Sequence, residues 1–226
     1  MLIEHFFDDR ESASAAAATL IAGRLQEGLG GQAGTTLVVS GGTTPAACFE
    51  QLAKTPLDWS RVTVLLSDER YVEPGHFDSN ERLVRRTLLT GSAAAANVVS
   101  VYQADMTVHE ACDALAKSRP ELRPACALLG MGADGHFASL FPDADRLAEG
   151  LRTDGEGFYI PITTAASPHA RVSLTLAYLL QSNTIVLLFF GDEKRAVYEA
   201  AKSGADLPVA KLLENTSPDM HVIWAP

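Results

Sequence analysis

The sequence predicts a three-layer α/β/α fold built on a doubly wound, mostly parallel sheet. Three observations carry that expectation. Short, nearly all-apolar and β-branched runs recur along the chain, longer segments with 3.6-residue periodicity separate them, and turn or cap residues punctuate the junctions. Strands apolar on both faces need helices on both sides of the sheet, and an alternating order supplies them.

Taken in order, the Ala-rich segment 9–29 is the first helix, followed by the strand run TTLVVS (35–40). A helix over 45–54 is predicted next, with Thr44 as N-cap and Pro45 at the first helical position. RVTVLLS (61–67) is the second strand, and 78–89 a helix whose Asp78 and Glu81 have capping-box-like spacing. NVVSVY (97–102) reads as a strand and 107–118 as a helix opened by a regular Thr107/Glu110 box. ACALLG (125–130) and FYIPI (158–162) are strands, and 175–182 is a helix. TIVLLFF (184–190) leads into a helix over 193–203, capped by Asp192 and closed by Gly204; a last helix (208–215) precedes HVIWAP (221–226).

With 226 residues, 47% of them hydrophobic and 20% charged, residues 1–226 are expected to form one α/β domain, with or without a small lobe. No apolar run nears the roughly 20 residues of a membrane span. The start MLIEHFFDDRES has acids where a signal peptide carries a basic region, so a cytoplasmic protein is expected. Cys48, Cys112 and Cys126 form no C-x-x-C and read as small buried hydrophobes, giving no sign of a metal. The net charge of −10 (18 basic against 28 acidic residues) argues against nucleic-acid and anionic-membrane partners, which require a basic patch. A small anionic substrate would have to be held by a local cluster of cations and backbone N–H groups. The chain is expected to work as a monomer or weak homo-oligomer.

In doubly wound sheets ligands bind where the strands' carboxyl ends meet loops. The first such loop is Ser40, Gly41, Gly42, Thr43 and Thr44. Its glycines let backbone approach an anion, and the following helix start offers unpaired N–H groups. The second strand run ends in Asp68, Glu69 and Arg70. A carboxylate there suits sugar hydroxyls, and Arg70 suits a carboxylate, a phosphate or a developing oxyanion.

The third, GMGADGHFASLFP (130–142), matches the G-x-G-x-x-G spacing of a dinucleotide turn. Such a turn opens the first βαβ unit, runs into a long helix and finds an acid at the end of the next strand. Here the match lies mid-chain, Pro142 limits any helix, and the acids at that distance, Asp154 and Glu156, precede FYIPI. What remains is a glycine-cleared strand end presenting Asp134 and His136. A neutral imidazole there takes a proton from water, with Asp134 or Asp68 orienting the ring. The other histidines (His5, His76, His109, His169, His221) read as structural or solvent-exposed. Arg171 opens RVSLT, and Lys194 sits in the first turn of a helix, where the dipole disfavours a cation unless an anion is near. G-x-S-x-G, P-loop and H-E-x-x-H motifs are absent.

SGGTTP, SDER with a following SN, GMGADGHFASLFP, RVSLT and GDEKR, in this order from Ser40 to Arg195, resemble the 6-phosphogluconolactonases of the pentose phosphate pathway. The resemblance implies an α/β/α fold shared with glucosamine-6-phosphate isomerase/deaminase. It also implies hydrolysis of 6-phospho-D-glucono-1,5-lactone without metal or organic cofactor. His136 matches the family's catalytic histidine, Arg70 its strand-end arginine, and Arg171 and Lys194 its phosphate-side cations. The deaminases are less similar: they carry tyrosine where Arg70 stands, and a glutamate completing an Asp–His–Glu relay where this chain has Phe141.

On this reading His136 is the general base, and Ser40, Gly41, Gly42 and Thr43 hold the phosphate with Arg171 and Lys194. Asp68 and Asp134 orient His136 or bind ring hydroxyls. Arg70 serves the carbonyl end or shares the phosphate.

Overall fold

The apolar runs become strands and the periodic segments become helices in the computed structural model, which describes residues 1–226 apart from 119, 120, 122, 156 and 216. Glu156, weighed above against the dinucleotide spacing, therefore lies outside the described residues. The first half of the chain comprises β1 (Leu2–Phe6), α1 (Arg10–Gly31), β2 (Thr35–Val39), α2 (Ala46–Leu52), β3 (Val62–Leu66), β4 (Asp68–Arg70), α3 (Asn80–Thr87), β5 (Asn97–Val98) and α4 (Val108–Lys117). The second comprises β6 (Pro124–Leu129), α5 (Leu147–Gly150), β7 (Tyr159–Ile162), β8 (Arg171–Leu174), α6 (Leu176–Leu179), β9 (Thr184–Phe190), α7 (Asp192–Lys202), α8 (Pro208–Leu213) and β10 (Asp219–Ala225).

A seven-stranded parallel sheet runs in the order β1-β10-β9-β6-β2-β3-β5. Its central strands β2 and β6 are buried at every position, as unbroken apolar runs require, whereas edge strand β1 is buried at none. Helix α1 packs across β2, β6, β9 and β10, presenting Ala13, Ala17, Ile21, Leu25 and Leu29 at helical spacing. Helices flank the sheet, giving the predicted α/β fold class.

Several elements differ from expectation. FYIPI does not join the parallel sheet; β7 pairs antiparallel with β8, and β8 with β4, as a separate three-stranded sheet. Charged Asp68–Arg70 is itself a strand, started after Ser67 and held by β8. Only Asn97–Val98 of NVVSVY is extended in the sheet. Thr44 does not cap α2, whose N-cap is Pro45, and Ser79 rather than Asp78 caps α3 by accepting from Arg82 N–H at 3.2 Å. Asp192 is the first residue of α7, with Gly191 as its N-cap. The Thr107/Glu110 capping box forms as read.

The three cysteines are buried and free, and burial pushes the Cys48 and Cys112 thiols up to about 12. Among the described residues no helix is long and apolar enough to cross a membrane.

Candidate active site

Parallel pairing brings the carboxyl ends of β2, β3, β6 and β9 to one edge of the sheet: Val39 pairs with Leu66 and with Leu128, and Leu129 with Leu187. The residues that follow these strands line one cleft of about 240 Å³. Ser40, Gly41, Gly42, Thr43 and Thr44 follow β2; Asp68 and Arg70 lie just beyond β3; His136 comes from the loop after β6; Lys194 lies after β9; Arg171 lies on β8. Every predicted site residue except Asp134 is on the cleft wall, and Asp134 is bonded to His136.

The glycine loop is shaped by close packing. A Cβ on Gly41 would fall on the Asn80 side-chain amide, so only glycine lets the strand end pass there. Ser40 is 6% exposed, and its hydroxyl has no hydrogen-bond partner, an unusual state for a buried polar group. Helix α2 has seven residues, so what this loop offers an anion is its own N–H groups and hydroxyls more than a long helix dipole.

His136 is carried by a tight turn, with the Gly132 N–H bonded to His136 O at 2.9 Å and the Gly135 N–H to Gly132 O at 3.1 Å. A Cβ on Gly132 would overlap the imidazole and the Asp134 carboxylate, so the glycine is what admits this pair. His136 Nδ1 stands 2.6 Å from Asp134 Oδ1, and the ring packs on Phe141 at a centroid distance of 4.0 Å. Asp134 holding the proton on Nδ1 leaves Nε2 as a lone pair available to accept another.

Asp68 is not near enough to share that task. Its buried carboxylate accepts from Ser67 Oγ (2.9 Å), Ser139 Oγ (2.6 Å) and Arg171 Nη2 (2.9 Å). Burial alone would raise this carboxyl, but the Arg171 charge and the three hydrogen bonds outweigh it and hold it below its ordinary value. Arg171 is likewise engaged: Nε donates to Ser139 Oγ at 2.6 Å, and the guanidinium lies over the Phe141 ring at 5.3 Å. The expectation of an uncommitted cation at Arg171 is thus corrected; its charge is largely neutralised by Asp68.

Arg70, directly opposite Arg171 across β4 and β8, turns to Asn80 Oδ1 (2.7 Å) and Asp78 O (3.2 Å) through one nitrogen, Nη1. Buried Glu69 anchors the start of α3, accepting from the Asn80 and Glu81 N–H groups and from Ser79 Oγ. Burial pushes the Glu69 carboxyl up in spite of these donors. Lys194 has no hydrogen-bond partner among the described residues, and burial pulls its ammonium below the ordinary lysine value against the attraction of Glu193 and Asp134.

Two residues of the cleft were quoted in the sequence without a role. Asn80 is the SN after SDER, and Ser139, in GHFASLFP, ties Asp68 to Arg171. Neither had a signal beyond its motif, because each acts through partners distant in sequence.

The profile of the family described as glucosamine-6-phosphate isomerases/6-phosphogluconolactonase matches residues 8–224. The chain belongs to that family. It is 41% identical over 198 residues to a 6-phosphogluconolactonase of Pseudomonas aeruginosa, covering 85% of this chain and 83% of that protein. It is 36% identical to one of Rhizobium meliloti, covering 98% of both. The crystal structure of a 6-phosphogluconolactonase from Shewanella baltica superposes with a TM-score of 0.93 at 32% identity, covering 100% of this chain and 98% of that one.

Proposed function

We propose that this cleft hydrolyses 6-phospho-D-glucono-1,5-lactone to 6-phospho-D-gluconate in the pentose phosphate pathway, with His136 as the general base. The observation that carries this reading is the pairing of His136 Nδ1 with Asp134 at 2.6 Å on the same cleft as a glycine loop and an unpartnered lysine. The relatives named above, similar over nearly the whole chain, support the substrate.

In the proposed reaction, Nε2 of His136 takes a proton from water as its oxygen bonds to the lactone carbonyl carbon. The tetrahedral oxyanion is stabilised by a positioned cation or N–H group, for which Arg70 and the loop amides are the candidates. Collapse re-forms the carbonyl, breaks its bond to the ring oxygen, and returns the proton from Nε2 to that oxygen. The acid product ionises, so each turnover releases one proton at neutral pH.

The phosphate is held by the buried Ser40 hydroxyl, the Gly41, Gly42 and Thr43 amides, and Lys194, whose lowered ammonium value marks a cation short of an anionic partner. Arg70 has Nε and Nη2 left to share in this. Arg171 and Asp68 act by shaping the wall. A deaminase needs a third group relaying protons beside His136, and Phe141 in ring contact at 4.0 Å cannot relay one. The setting for this chemistry is the cytoplasm, with each cleft lined by one chain acting as a monomer or weak homo-oligomer.

The test is proton release from freshly prepared 6-phosphogluconolactone at constant pH, corrected for spontaneous hydrolysis. Catalysed release is expected. Ammonia and fructose 6-phosphate from glucosamine 6-phosphate, without lactone turnover, would replace this reading with the deaminase one.

A further inference from the structure

His76 and His169 have no part in the chemistry above, and the sequence marks neither. Folding brings both to Asp78. His169 Nε2 lies 3.1 Å from Asp78 Oδ2, across 91 residues of sequence, and His76 Nδ1 lies 3.9 Å from the same oxygen. The two imidazoles meet nearly edge to face, with centroids 5.5 Å apart and an interplanar angle of 79°. One ligand atom from each of the three side chains lies within 4.8 Å of the other two, and among the described residues no other trio of His, Cys, Asp or Glu does so.

Around a tetrahedral zinc ion with bonds of about 2.0–2.1 Å, neighbouring donor atoms stand about 3.3 Å apart. The two nitrogen-to-oxygen separations here bracket that value. Two imidazoles and one carboxylate suit zinc-class ions; magnesium and calcium need more oxygen donors. The side chains are 35%, 34% and 30% exposed for His76, Asp78 and His169, which leaves an open face for water to complete the coordination. Phe77 stacks on His76 at 4.5 Å and screens one side of it. In the metal-free molecule His76 Nδ1 accepts a long hydrogen bond from the Asp78 N–H at 3.2 Å, which coordination through that nitrogen would replace.

We infer that His76, Asp78 and His169 bind one divalent transition metal ion of the zinc class, tying the loop between β4 and α3 to the loop before β8. The ion sits at the cleft rim: Asp78 O accepts from Arg70, and Ser167, two residues from His169, lies 3.5 Å from Arg171 Nη1. It takes no part in lactone hydrolysis, so this inference stands or falls apart from the proposed reaction.

The experiment is calorimetric titration of chelator-treated, untagged protein with ZnCl2, followed by Co2+ titration read by visible absorption. One equivalent of zinc should bind and raise the Tm, and cobalt should show the d–d bands of a low-coordinate N/O site. His169→Gln can still hydrogen-bond to Asp78 but supplies no imidazole. It should keep the metal-free Tm and weaken zinc at least about tenfold, the lower end of what loss of a supporting group costs a metal site. Asp78→Asn should do the same, and His5→Ala should bind as the parent does. Absence of binding in the parent, unchanged binding in His169→Gln, or loss in His5→Ala instead would overturn the site.

Discussion

The two walls of the cleft use their charged groups in opposite ways. On one, Lys194, the Ser40 hydroxyl and Nε2 of His136 have no partners within the protein. On the other, Asp68, Arg171, Ser139 and Glu69 are buried with their hydrogen-bonding capacity filled by one another or by backbone. A buried ion pair is costly to break, because the survivor is left charged and unpaired. A group with an open valence costs little to remove from the fold but much to remove from a bound substrate. The first wall should therefore report on activity at constant stability, and the second on stability first.

The sharpest separation is expected at His136. His136→Gln should lower kcat by about 10²–10⁴, the span for loss of a general base, while the Tm stays near that of the parent. A folded variant with near-normal kcat would remove His136 from its role.

Next in size is the buried pair. Arg171→Ala should destabilise the protein by about 3–5 kcal/mol, as expected when one partner of a buried pair is deleted, measured by urea unfolding. Near-parental stability with a raised KM would instead make Arg171 a substrate cation, and the contrast between the walls would fail. The pH dependence gives a second reading of the same pair. Because the Asp68 carboxyl is held low in the folded protein, its contribution is complete above the unfolded value of about 3.9 and is lost as pH falls through the lower folded value. The stability gap between the parent and Asp68→Asn should therefore narrow as pH falls below about 4. A constant gap would show that the carboxylate charge is not what holds the wall.

Lys194→Ala should raise KM for the phosphorylated lactone by about 1.5–3 kcal/mol, the worth of a charge-assisted hydrogen bond. Its slow turnover of unphosphorylated gluconolactone and its Tm should be unaltered. Equal losses on both substrates would move Lys194 to the carbonyl end.

The smallest effect is expected where the walls meet. Ala138 lines the cleft with φ of 49°, a left-handed conformation costing an alanine roughly 1–2 kcal/mol. Ala138→Gly should raise stability by about 1 kcal/mol once glycine's extra chain entropy is set against that relief. A loss of stability would mean that its methyl packing outweighs the strain.

Much of the site was legible because it rests on local chemistry. The Ser40–Thr44 loop, the Gly132–His136 turn and the Thr107/Glu110 box each place their groups within a few residues, where turn and cap rules operate. Caps one residue off, as at Thr44 and Asp78, show the limit of that precision. Strand β4 was hidden because Asp68, Glu69 and Arg70 have no apolar alternation; β8 makes them a strand through pairing that no local pattern records. FYIPI was read into the wrong sheet for a related reason, since an apolar run signals burial but not its neighbour.

By itself the sequence determined the alternation of strands and helices, the glycine-cleared loops and the residue types gathered at the sheet's edge, because periodicity and backbone freedom are properties of neighbouring residues. Only the tertiary structure decided which charges are neutralised and which remain open. Arg171 and Lys194 look alike in the chain, yet one meets Asp68 across 103 residues and the other meets no hydrogen-bond partner among the described residues. Coulomb attraction and desolvation act over a few ångströms of space, whatever the separation along the chain, so the distinction exists only once the strands have paired.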